Sequence, residues 1–122
     1  MEQNKNFKQI EIPIIKSLYE LYKHTHKAVS AFPKHEKYSI GEKLETAILE
    51  SIELITTGNS HPKNFKEPFL LKAGAKIEIL KLLFRLALDC GFISQDQYLK
   101  MEENLQEIGR MLGGWIKYVR SN

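Results

Sequence analysis

The sequence predicts an all-α protein, an antiparallel up-and-down four-helix bundle, and three observations predict it. Apolar residues recur at spacings of three and four in four separate segments. No stretch alternates apolar and polar residues over a strand's length between turn dipeptides. The segments are joined by connections of about 3–8 residues marked by proline or glycine, the usual range between helices that pack as neighbours. The 122 residues form one domain, 1–122, with 43% hydrophobic and 27% charged residues, the proportions of a chain that buries a core.

The first helix is expected over about 13–31. Pro13 suits a first-turn position, where its missing N–H leaves no bond unmade. Ile14, Leu18, Leu21, Thr25, Ala28 and Phe32 form its stripe, Ile15, Tyr22 and Val29 widen it, and Pro33 stops it. The second is expected over about 39–57, with Ser39 as N-cap and Glu42 completing a capping box. Its inner face is Leu44, Ala47, Ile48, Ser51 and Ile55, and Gly58 is placed as the C-cap. The third spans about 64–90, starting at Asn64 or Glu67, with Gly91 closing it. The fourth follows the cap Ser94, with Gln97 at the capping-box position, and covers about 95–119. Its stripe is Met101, Leu105, Ile108, Leu112, Trp115 and Val119, an unbroken alternation of four and three.

The third helix carries more apolar surface than a lone bundle can bury. Gly74, Glu78, Lys81, Arg85 and Asp89 fall in one narrow stripe, and nearly everything else from Ile77 to Leu88 is apolar. A bundle buries only one sector of each helix. The excess predicts packing against another copy of the chain, with Leu82, Leu83, Leu86 and Trp115 at the interface. Gly109, Gly113 and Gly114, each costing about 1 kcal/mol against Ala inside a helix, point to close approach of another helix, within or between subunits.

Charge is sorted by helix. Lys+Arg is 18 and Asp+Glu 15, a net +3 that permits polyanion binding without requiring it. The first helix carries Lys16, Lys23 and Lys27 on one outer sector with only Glu20 among them. The second shows Glu42, Glu45, Glu50 and Glu53 outward against Lys43. The fourth ends with Arg110, Lys117 and Arg120 and no acid after Glu107. That basic end, together with the connection carrying Lys34, His35 and Lys37, is the candidate for contact with phosphate or an acidic partner.

Other classes lack their signatures. No His-Glu-x-x-His occurs, and no Glu is followed by His three residues later, as a di-iron bundle needs. His24 and His26, two apart, point away from each other on a helix. His35 and His61 stand beside prolines with no sequence-visible carboxylate or nucleophile. The single cysteine, Cys90, follows an apolar run and is expected to be buried; it excludes an internal disulfide and a paired-cysteine zinc site. No glycine-rich phosphate loop is present. Met1 to Gln9 is polar, and no apolar run reaches the roughly 18–20 residues that span a bilayer. These readings predict a cytoplasmic protein with no metal, cofactor, membrane or small-molecule substrate.

At Phe32-Pro33-Lys34-His35-Glu36-Lys37-Tyr38-Ser39-Ile40-Gly41, and again at Glu107-Ile108-Gly109-Arg110-Met111-Leu112-Gly113-Gly114-Trp115-Ile116, the chain resembles a known family. It is similar to the accessory variability proteins (Avd) of diversity-generating retroelements, part of a wider four-helix-bundle group that includes the 23S rRNA intervening-sequence proteins. The Phe-Pro-Lys linker is shared by the wider group; the Trp-containing ending and the Leu-rich third helix favour the Avd branch. The resemblance implies a non-enzymatic, ring-like homo-oligomer, a homopentamer, that binds the element's reverse transcriptase and its template RNA, or alternatively DNA or an RNA/DNA hybrid, and supports mutagenic retrohoming. It places Lys81, Arg85 and Arg110 as contacts, beside Lys117, Arg120, Lys34 and Lys37 from the charge pattern. Glu78 and Asp89 share the stripe of Lys81 and Arg85, which leaves a purely structural pairing open for those two cations. Family members are often strongly basic and this chain is only +3, but five copies would carry +15. Two other readings stay open: an intervening-sequence-type bundle with no transcriptase partner, and a helical partner subunit of a nucleotide-handling enzyme.

Overall fold

A computed structural model describes the backbone of residues 2–121 and the side chains of residues 13–121. Four long helices account for most of it: α1 (Glu2–Val29), α2 (Glu42–Asn59), α3 (Glu67–Asp89) and α4 (Gln95–Arg120). There is no strand among the described residues. Packing follows chain order, most extensively between α2 and α3, and α1 closes the square against α4. The bundle is therefore up-and-down, with α1 diagonal to α3. One face of each helix fills the core. Ile14, Leu18 and Leu21 of α1 meet Leu44, Ile48 and Ile55 of α2, Leu70, Ile77, Leu80 and Phe84 of α3, and Leu105, Ile108 and Leu112 of α4. At about 1.5–3 kcal/mol for each large side chain withdrawn from water, this interior is the principal source of stability.

The ends of the helices differ from expectation in instructive ways. α1 begins at Glu2 and runs through Pro13. A proline fits helical φ, so a helix can continue through it at the loss of one backbone bond; the first-turn rule marks where proline is cheapest, which is not the only place it occurs. The reading of Met1 to Gln9 as free of a targeting signal concerns side chains outside the described ones.

Ser39 does not cap α2. Pro33 is followed by one helical turn, Lys34–Glu36, and a five-residue π-helical stretch, Lys37–Gly41, which leads straight into α2. The Ser39 hydroxyl donates to the carbonyl of His35 at 3.3 Å and to the Glu36 carboxylate at 3.0 Å, so it is spent inside the turn. Gly41 is required there: a Cβ would lie 2.7 Å from Cγ1 of Val29 and 3.2 Å from the carbonyl oxygen of Glu36.

Nor is Gly58 a C-cap. It lies inside α2, buried, where a Cβ would come within 2.9 Å of the Phe69 Cβ. The glycine lets α2 and α3 approach. The end of α2 is instead satisfied by Lys66, only 3% exposed, whose ammonium donates to the carbonyls of Gly58 at 3.2 Å and Asn59 at 2.7 Å. A cation at a helix C-terminus meets both the orphan carbonyls and the negative end of the dipole.

A 3₁₀ turn, Lys63–Phe65, precedes α3, so the helix proper starts later than residue 64. Gly91, at φ 78°, ends it. The Phe92 N–H reaches the Ala87 carbonyl at 2.8 Å and the Gly91 N–H that of Leu88 at 3.0 Å, the paired bonds of a Schellman ending. Cys90 is exposed, not buried; as the residue at which α3 ends, it has left the apolar face. The expected Ser94 cap is present. Ser94 Oγ accepts from the Gln97 N–H at 3.1 Å and Gln97 Oε1 accepts from the Ser94 N–H at 2.8 Å. α4 then runs unbroken through Gly113 and Gly114 to Arg120.

Candidate interaction surface

The outward face of α3 is apolar. Leu71, Ala75, Ile79, Leu82 and Leu86 are exposed on it, Leu82 to 70%, at spacings of 4, 4, 3 and 4. That repeat is a helix-packing seam rather than scattered surface leucines. On α4, a Cβ added at Gly109, Gly113 or Gly114 would meet nothing within 4 Å among the described residues. Among the described residues, no side chain closes on those glycines. Leu83 is half-buried and turns toward α2. Trp115 is 3% exposed and belongs to the chain's own core. Its place on the inward stripe with Leu112 and Ile108 leaves it no surface to offer, so as an interface residue it is corrected.

The basic residues sort into paired and unpaired. Lys81 bonds Glu78 at 3.1 Å, and Arg85 Nε bonds Asp89 at 3.1 Å. Asp89, with a further contribution from Tyr98, raises the Arg85 pKa above its ordinary value. Arg120 pairs with Glu67 across the α3–α4 contact at 2.5 Å. Arg110, Lys117, Lys34 and Lys37 are in no ion pair among the described residues.

The structure does not join the basic end of α4 to the Lys34–Lys37 turn. Phe32 stacks against Phe92 with ring centroids 5.5 Å apart, so the α1–α2 and α3–α4 connections share one end of the bundle. Lys63 lies 4.5 Å over the Tyr118 ring at the other. The 26 residues of α4 separate the two ends by about 40 Å at 1.5 Å per residue. They are two patches.

Two open grooves follow one another along the α2–α3 contact, sharing Glu50 and Lys76, and both have carboxylates in their walls: Glu42 and Glu50 in one, Glu50 and Glu53 in the other. The acidic face of α2 is partly occupied from its neighbours. Glu50 accepts from Lys76 of α3 at 2.8 Å, and Glu45 faces His26 of α1 at 3.2 Å. A third groove runs between α1 and α4, lined by His24, Lys27, Gln97 and Lys100 above a floor that includes Leu21 and Met101. Sequence reasoning placed Lys27 on an outer sector and did not single out Lys100. The two lie on helices far apart in the chain, and no local spacing relates them.

Among the described residues no three His, Cys, Asp or Glu side chains gather where a metal could be held, and no helix is long and apolar enough to cross a membrane. No curated protein matches the sequence. The profile of a family described as bAvd-like matches residues 12–119, a span that takes in α2 and α3 whole, α1 from residue 12 onward and all of α4 but its last residue. The chain belongs to the bAvd-like family.

Proposed function

We propose that this protein is a non-catalytic accessory protein of a diversity-generating retroelement, acting in the cytoplasm as a ring-like homo-oligomer, a pentamer, that binds the element's reverse transcriptase and its template RNA. The observation that carries the reading is the bAvd-like match over residues 12–119. The exposed seam Leu71–Ala75–Ile79–Leu82–Leu86 supports the oligomer: a continuous apolar strip on a charged protein calls for a covering surface. The unpaired cations Arg110, Lys117, Lys34 and Lys37 support polyanion binding, because their charge is not already neutralised by a neighbour.

Two measurements test it. Purified protein should run well above 14.2 kDa by sedimentation at micromolar concentration, and it should retain the cognate reverse transcriptase of a diversity-generating retroelement at low salt. A single 14.2 kDa particle, or folded protein that leaves the transcriptase unbound, overturns the proposal.

A further inference from the structure

We infer that the groove between α1 and α4, with Lys27 and Lys100 on its two walls, is a track for the phosphate backbone of RNA. This rests on the RNA-binding function proposed above and gives that function a location away from α3.

The groove differs in kind from the other two on the molecule. His24, Lys27, Gln97, Lys100 and Asn104 line it and, among the described residues, no carboxylate does, whereas Glu42, Glu50 and Glu53 line the grooves on the α2–α3 side. Its frame is already rigid. Asn104 Nδ2 donates to the Ser17 carbonyl at 2.9 Å, tying α4 to α1, and Gln97 Oε1 is held in the Ser94 capping box. Its cations are unspent. Lys27 and Lys100 are in no ion pair among the described residues, and Glu20, the nearby acid of α1, is engaged by Lys23 at 3.1 Å. Glu103, one turn from Lys100, forms no ion pair with it. The ammonium groups and the Gln97 amide N–H donors are therefore available to phosphate oxygens, while Leu21 and Met101 offer an apolar floor to sugar and base. α1 is diagonal to α3 across the bundle, so the groove lies away from the α3 seam.

The test is fluorescence anisotropy of a labelled single-stranded RNA of about 20 nucleotides with the full chain, across a salt series. The Lys27→Glu, Lys100→Glu double variant should keep its helical circular dichroism and its oligomeric mass and lose affinity about tenfold or more at low salt. Its log–log salt slope should shrink by about 1.4, two contacts at roughly 0.7 each for a single strand. Lys27→Arg with Lys100→Arg should bind as the parent does. The inference is overturned if the double variant binds within twofold of the parent while Arg110→Glu with Lys117→Glu abolishes binding; RNA binding would then stand with its track elsewhere. It is overturned too if polyglutamate displaces nothing but itself occupies the groove, as read by loss of its binding in the double variant, since the track would then serve an acidic peptide. Parent protein that is folded, oligomeric and blind to RNA at low salt defeats the function proposed above, and this location with it.

Discussion

The α3 edge and the α1–α4 groove are both exposed, and they are opposites. The edge is a strip of leucine and isoleucine whose cations, Lys81 and Arg85, are held by Glu78 and Asp89 on the same helix. The groove has lysines on two different helices and, among the described residues, no acid in its walls. A cation three or four residues from a carboxylate on one helix can be answered locally. Lys27 has no acid three or four residues away, and Lys100, although Asp96 and Glu103 lie four and three residues from it, is in no ion pair among the described residues. The presence of a basic residue in a motif therefore says less about binding than whether a carboxylate already holds it.

The largest effect should come from breaking the edge. Leu82→Glu with Leu86→Glu puts two charges on a face that the proposed copies would bury, and the sedimenting mass should fall to 14.2 kDa, with the helical spectrum retained because both side chains lie outside the core. An unchanged mass would deny the strip any part in assembly.

The next effect tests packing under the same face. Gly58→Val should destabilise by about 1–3 kcal/mol, because a Cβ already reaches 2.9 Å from the Phe69 Cβ and overpacking of this kind costs that much. Calorimetry should show Tm lower by roughly 5–15 °C. An unshifted Tm would mean that α2 and α3 do not meet as closely as described.

A third measurement asks whether the bare backbone of α4 is part of the edge. In the Leu82→Glu, Leu86→Glu background, Gly113→Ala should stabilise by up to about 1 kcal/mol, the ordinary gain of alanine over glycine in a helix with free space around it. In the otherwise unchanged chain it should instead weaken assembly, read as dissociation at higher protein concentration. Identical behaviour in both backgrounds would exclude Gly113 from the interface.

Smaller still, Thr25→Val should raise stability by about 1 kcal/mol. The Thr25 hydroxyl is buried and has no hydrogen-bond partner among the described residues, and removing an unmet polar group recovers its desolvation cost. A loss of stability would show that the hydroxyl has a partner after all.

The smallest effect should be that of Arg85. Its pKa is raised in the folded chain. Such a shift contributes stability that is complete below the unfolded value and is lost only as pH rises through the folded one, far above working conditions. Arg85→Gln should therefore change Tm little, and by the same amount from about pH 6 to 9. A change that varied across that window would point to a second titrating group coupled to this pair.

Residue order was enough for the four helices, their inward stripes, the Ser94 capping box and the Gly91 ending, because each depends on contacts three to five residues apart. It was also enough for the surplus of leucine on the third helix and for the family, whose motifs are contiguous. Ser39 and Gly58 were misplaced because one residue type serves several local geometries: a serine can close a π-helical turn as readily as cap a helix, and a glycine can admit a neighbouring helix as well as end its own. Trp115, the separation of the Lys34–Lys37 turn from the end of α4, the burial of Lys66 beneath the end of α2, and the facing of Lys27 and Lys100 were decided only when the helices packed. Periodicity states which side of a helix is apolar; which neighbour covers that side, and which charges then meet across the gap, depends on residues tens of positions away, and no local pattern encodes them.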